Sequence, residues 1–448
     1  MGPKPGPPDR DKPEPEWNRA PRAGTDDLLL FSRGDQKSVK IIYQCFQKFS
    51  QASGLQANMN KSSIYFGGVP DQVKLNILQQ SGFGCGEFPF KYLGVPLSTK
   101  KLTIMQWSSL VNKIIARISS WTAKKLSYAG RMQLVQSVLF GIQAYWSQLF
   151  IIPAKVLKLI ESYCRSFTWS GSNTINKRAL IAWEKVCLPK SVGGMNLINI
   201  RLWNQATIAK ICWDLANKSD KLWIRWIHSF YIKTQQFLTV PIPKQASWMV
   251  KKILNARLTL EQTQKQNDQV TIGSLYLNLL GNKPRVPWRC LIFANTARPK
   301  AIVTMWLQLQ NKLPTSDRLA SWGMVINQQC KLCQNELETR DHLFVCCEFT
   351  RVIWRKLMAW IKWPDYTLDA WDTHLKWIIE KARGNNLTAQ LFRLRYAECS
   401  HAVWIERNHR IFEDKCRNLE HVAKKVAYMC CMSAPTAISS RLQQLSFV

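Results

Sequence analysis

Cys330-Lys331-Leu332-Cys333, followed downstream by His342-Leu343-Phe344-Val345-Cys346-Cys347, is the stretch that decides how this chain is organised. Two thiolates separated by two residues can grip one ion from a tight turn. A His and a Cys from a following helix can then close a tetrahedron. Four soft donors with no spare carboxylate point to a closed structural zinc site rather than a catalytic one. The plainer alternative is a set of ordinary core thiols. The fourth donor is open on geometry. His342 and Cys346 stand four apart and share a helical face. His342 and Cys347 need a helix start or an irregular turn between them.

Working outward, residues 286–365 read as a folded unit around this cluster, and 366–448 as a C-terminal helical segment. Residues 171–285 read as a helical connection and linker. Its first part is dense in Trp and basic residues, as in Trp223-Ile224-Arg225-Trp226, and 236–285 is polar and irregular. Residues 101–170 carry three amphipathic helices. The first has Trp107, Leu110, Val111, Ile114, Ile115, Ile118 and Trp121 on one stripe. The second has Leu134, Val135, Val138, Leu139, Ile142 and Trp146, and the third, opened by Pro153, has Val156, Leu157, Ile160, Cys164 and Phe167. Each stripe is wide enough to bury against its neighbours, so a small bundle is expected. Pro153 suits a helix start, where its missing N–H costs nothing. Upstream, Asp26-Asp27-Leu28-Leu29-Leu30-Phe31 looks strand-like, and a helix is expected over Ser38–Ser53, stopped by Gly54. Ser63-Ile64-Tyr65-Phe66 reads as a short strand. Residues 1–23, rich in Pro and charge, are expected to be disordered.

The 448 residues carry 62 Lys and Arg against 29 Asp and Glu, a formal net charge of +33. Such an excess repels itself unless a polyanion screens it. RNA or DNA is the expected partner, because phosphate contacts supply most non-specific affinity. A membrane surface is disfavoured, since the basic residues are spread along the chain rather than gathered in one amphipathic segment. No apolar run is long enough to span a bilayer, and the N-terminus Met1-Gly2-Pro3-Lys4-Pro5 has no apolar signal core. No small-molecule substrate is indicated, apart from nucleotides if the chain is an active enzyme. The fourteen Cys are scattered, which suits free thiols in a reducing, intracellular setting, the nucleus included. Twenty Trp imply substantial cores.

Residues 298–354 resemble the zinc-binding domain at the C-terminus of plant LINE-type, non-LTR retrotransposon reverse transcriptases. The resemblance lies in Arg298-Pro299-Lys300, Trp306, Leu313-Pro314-Thr315-Ser316-Asp317-Arg318-Leu319, Gly323-Met324, the Cys-x-x-Cys, His342-Leu343-Phe344 and Trp354. Trp404-Ile405-Glu406-Arg407-Asn408-His409-Arg410-Ile411-Phe412 is similar to the same family. Its last Cys stands five residues after the His, which implies the ligand set Cys330, Cys333, His342 and Cys347 around structural zinc.

The resemblance extends upstream through Asp26-Asp27 and its apolar run. It continues in Gly54-Leu55-Gln56-Ala57-Asn58-Met59-Asn60-Lys61-Ser62 and in Phe90-Lys91-Tyr92-Leu93-Gly94-Val95-Pro96-Leu97. It implies a predominantly helical α+β fold. Partial palm strands over 24–100 would precede a helical thumb over 101–170, then the zinc module and C-terminal helices. By the same resemblance Asp26 and Asp27 would belong to a magnesium clamp and Lys61 would donate a proton near pyrophosphate. Lys113, Arg117, Lys124, Lys125 and Arg131 would meet phosphates from the thumb, although a solvated helix face explains those basics equally well. The aromatic and small residues expected before Asp-Asp are here Gly24 and Thr25, and no stretch before residue 24 matches fingers or the remaining palm. The chain is therefore expected to be a truncated copy that binds zinc and nucleic acid, with the three polymerase residues vestigial. Magnesium is expected only if polymerase activity survives. The alternative is a domesticated zinc-containing adaptor.

Overall fold

The computed structural model describes residues 28–92, 95–98, 102–122, 126–147, 150–217, 220–261, 270–362, 370–436, 439 and 442. Two compact units divide at Gln106 and Trp107. The described residues are predominantly helical with a few very short strands, an α+β composition.

In the first unit, helix α1 spans Gln36–Ser53. Asp35 caps it by accepting from the Ser38 amide, and Gly54 ends it at φ 71°, a left-handed value that favours glycine. Strand β1 (Ser63–Ile64) pairs in parallel with β2 (Gly84–Cys85), across helix α2 (Asp71–Ser81). Strands β3 (Phe90–Tyr92) and β4 (Val95–Leu97) form an antiparallel hairpin. Tyr65 stacks on Phe90 with ring centroids 4.0 Å apart, which ties the two pieces together. The strand expected at Leu28–Phe31 is not formed. These residues pair with no strand among the described ones, and Phe31 is 82% exposed. An apolar run makes a strand only where a partner supplies the ladder.

The second unit opens on the three-helix bundle. Helices α3 (Ser108–Thr122), α4 (Tyr128–Gly141) and α5 (Ala154–Ser170) bury the stripes read above. Trp107 packs against Trp146 at 5.9 Å and Phe150 at 5.6 Å. Pro153 stands as the N-cap of α5, just outside the helix, with extended backbone. Past α4 the chain widens into a π-helical turn, Ile142–Trp146.

Helix α6 (Ile200–Ala216) then organises a second core. Residues 236–261 and 270–285 are not the irregular stretch expected. Helices α7 (Trp248–Asn255) and α8 (Ile272–Leu280) lie here, and Phe237, Val240, Val250, Ile253, Leu254 and Leu275 pack with Ala209, Cys212 and Leu215 of α6. The apolar positions are diluted by polar neighbours and split among short helices, which hides their period.

Helix α9 (Pro299–Leu309) packs on the long helix α12 (Leu387–Phe412) and on α4. Helices α10 (Glu348–Trp360), α11 (Trp371–Ala382) and α13 (Leu419–Ser433) also belong to the second unit, together with several shorter helices. Trp306 is fully buried, and its indole N–H donates to the Gly193 carbonyl at 2.8 Å. None of the described helices is long and apolar enough to cross a membrane.

Candidate metal centre

The cluster sits on a knuckle that follows from local hydrogen bonding. Gln329 and Leu337 form an antiparallel bridge. The Cys330 amide donates to the Glu336 carbonyl at 2.7 Å, and the Gln334 amide to the Cys330 carbonyl at 2.8 Å. Cys330 and Cys333 are thereby held on one side of a tight loop. The chain then enters a π-helical turn, His342–Cys346, closed by the Cys347 amide donating to the His342 carbonyl at 2.7 Å. A bond from residue i+5 to residue i defines this wider turn. It brings residues five apart onto one side, where an α-helix would align residues four apart. Cys347 is also the N-cap residue of α10.

The donors Cys330, Cys333, His342 and Cys347 all lie within 4.8 Å of one another, and Cys346 is outside this group. The Cys330 and Cys347 sulfurs are 3.9 Å apart, and Cys333 Sγ is 3.2 Å from His342 Nε2. A tetrahedron with Zn–S bonds of about 2.3 Å has an S···S edge of about 3.8 Å. The Cys330–Cys347 separation agrees with that edge. Three thiols and one imidazole, with no carboxylate, are also the donor set of a structural zinc site.

Protonation in the cluster follows from crowding. The hydrogen bond to Cys347, and then the bond to His342, hold the Cys330 thiol down at about 3 against the opposing effect of burial. His342 is raised to about 9, chiefly by Cys330. Cys347 moves upward, because its thiol keeps the proton it shares with the Cys330 thiolate and burial disfavours a second charge beside it. Elsewhere burial pushes Cys164, Cys212 and Cys399 up to about 12, as expected of inert core thiols. A cation replaces such shared protons, which couples metal binding to thiol deprotonation.

The supporting shell is specific. Glu336 Oε2 lies 3.0 Å from His342 Nδ1, so the carboxylate turns Nε2 toward the sulfurs. Glu338 is fully buried at the base of the knuckle. It accepts from the Ser316 amide at 2.9 Å and from Arg407 Nη2 at 2.7 Å and Nε at 3.0 Å. Arg410, one turn further along α12, donates to the carbonyls of Leu332 at 2.9 Å and Lys331 at 3.2 Å. The C-terminal half of α12 therefore clamps the knuckle. Sequence reading assigned no role to Glu336, Glu338, Arg407 or Arg410. For the two arginines the signal was their spacing, three apart on one helical face.

The other sequence-derived residues do not join this centre. Lys113 and Arg117 are exposed on α3. Arg131 is half-buried, donates to the Trp169 carbonyl at 3.4 Å and lies over the Tyr128 ring. Lys61 is exposed in a turn. Asp26, Asp27, Lys124 and Lys125 lie outside the described residues.

Residues 271–354 match the family model described as zinc-binding in reverse transcriptase. The chain is also 28% identical over 158 residues to an Arabidopsis thaliana protein named "Putative ribonuclease H protein", covering 34% of this chain and 25% of that one. It is 23% identical over 123 residues to an uncharacterized mitochondrial protein of Arabidopsis thaliana, covering 27% of this chain and 80% of that one. This chain therefore spans a quarter of the length of the first relative. The cluster of three Cys and one His lies inside the segment that matches, and the two findings together identify it as a structural zinc site.

Proposed function

We propose that this chain derives from a plant LINE-type, non-LTR reverse transcriptase. In this reading it is a zinc-stabilised platform for RNA or DNA, and Cys330, Cys333, His342 and Cys347 hold the ion. The convergence of those four donors within the matched segment carries the reading. Zinc would supply a four-coordinate crosslink there. The protein's own contribution is the knuckle, the π-helical turn and the clamp from α12.

Nucleic-acid binding is supported by the net charge of +33 and by exposed basic side chains such as Lys113 and Arg117 on α3. Phosphate contacts of this kind position a strand without reading bases. Fluorescence anisotropy with a labelled RNA and an RNA–DNA duplex tests it. Affinity should fall steeply as salt rises, because bound phosphates release counterions. Scrambling the probe sequence should change little. No binding at low salt, or an affinity indifferent to salt, contradicts the reading.

A further inference from the structure

Away from the zinc cluster, a cavity of about 660 Å³ opens between the start of α4, the end of α5, the start of α9, and helices α12 and α13. Small-ligand pockets occupy ~300–1,000 Å³. Two properties of the walls identify its chemistry. The first is unbalanced positive charge. Arg298 is neutralised by Glu398, whose carboxylate accepts from its Nε at 3.0 Å. Glu406 is engaged by Arg410 Nε at 3.0 Å and by the Arg417 amide at 2.9 Å. Lys300 and Lys425 line the same cavity and have no ion-pair partner among the described residues. His401, also in the wall, bonds Thr304 Oγ1 through Nδ1. Burial first, and then Arg298, Lys300 and Lys425, push it down to about 3, so it stays uncharged. The second property is aromatic surface, from Tyr128, Trp169 and Trp404.

A ligand with an anionic end and a flat aromatic face answers both properties. A phosphate on a sugar and base has that chemistry. Inorganic phosphate lacks the flat face, and an acidic peptide offers it only by accident of sequence.

We propose that this cleft binds a nucleotide unit, with its phosphate held by Lys300 and Lys425 and its base against the aromatic wall. The unit is either a free nucleotide or one nucleotide of a strand. The proposal rests on the nucleic-acid reading above and gives it a location. Base stacking on aromatic side chains tolerates any sequence.

The test uses the full zinc-loaded chain, a short labelled single-stranded RNA, AMP and inorganic phosphate. Lys300 and Lys425 are exposed, so K300E/K425E should fold. Zinc content and circular dichroism check that it does. The control is K177E/K252E, which makes the same charge change at exposed sites outside the cleft. The cleft pair should weaken RNA binding by about tenfold, the loss of one stacked, phosphate-held nucleotide. The control pair should weaken it far less. AMP retained in equilibrium dialysis by the native chain and lost in K300E/K425E identifies a free-nucleotide site. RNA binding lost selectively without AMP retention identifies a strand site. Equal losses in the two pairs overturn the cleft and leave the charge-based reading standing. Where AMP is retained, displacement of RNA by inorganic phosphate or polyglutamate as effectively as by AMP also overturns it. No RNA binding by the native chain at low salt overturns both.

Discussion

Glu336 controls how His342 faces the cluster. Its carboxylate, 3.0 Å from Nδ1, selects the tautomer in which Nε2 is the free donor. Glu336→Gln keeps the shape and removes the charge. Zinc affinity, measured by competition with a chromogenic chelator, should drop by about 10–100-fold, the usual effect of losing such a partner. An unchanged affinity would show that the ring is held by packing alone. The Cys and His types were legible in the sequence because few other roles suit a Cys-x-x-Cys with a His and a Cys beyond it. The choice between Cys346 and Cys347 was not legible from helical geometry. The 3.6-residue period favours Cys346, and the chain instead makes a wider turn that brings Cys347 to the sulfurs. Glu336 itself gave no signal, since one Glu in a polar loop has no period and no fixed spacing to its partner.

At the scale of elements, α12 determines whether the knuckle has a foundation. Arg407 and Glu338 are buried at 2% and 0% exposure and meet through both Nε and Nη2 of the guanidinium. Removing one partner leaves a charge in the interior with no mate. Arg407→Ala should therefore destabilise the second unit by about 3–5 kcal/mol in urea unfolding. Arg407→Lys should recover only part of this, because an ammonium cannot make the two-pronged contact. A loss below about 1 kcal/mol, the level of an exposed pair, would contradict the buried role. The bundle helices were plain in the sequence because their apolar stripes run unbroken for several turns, as in Leu110, Val111, Ile114 and Ile118. Two other elements were misread for opposite reasons. Leu28–Phe31 has the composition of a strand but lacks a strand partner among the described residues. Helices α7 and α8 have partners on α6, but polar residues interrupt their pattern.

At the scale of the whole molecule, the zinc domain is not an appendage. Its knuckle rests on α12, α12 packs on α9, and α9 packs on α4 of the bundle. Loss of the ion should therefore loosen more than the residues that hold it. The most direct test measures zinc content and hydrogen exchange together on the native chain, C347S and C346S. One zinc per chain is predicted for the native protein and for C346S. C347S should release the ion and lose amide protection through the knuckle and the C-terminal half of α12. Substoichiometric zinc in a well-folded native sample, or release of the ion by C346S and not by C347S, would contradict the account.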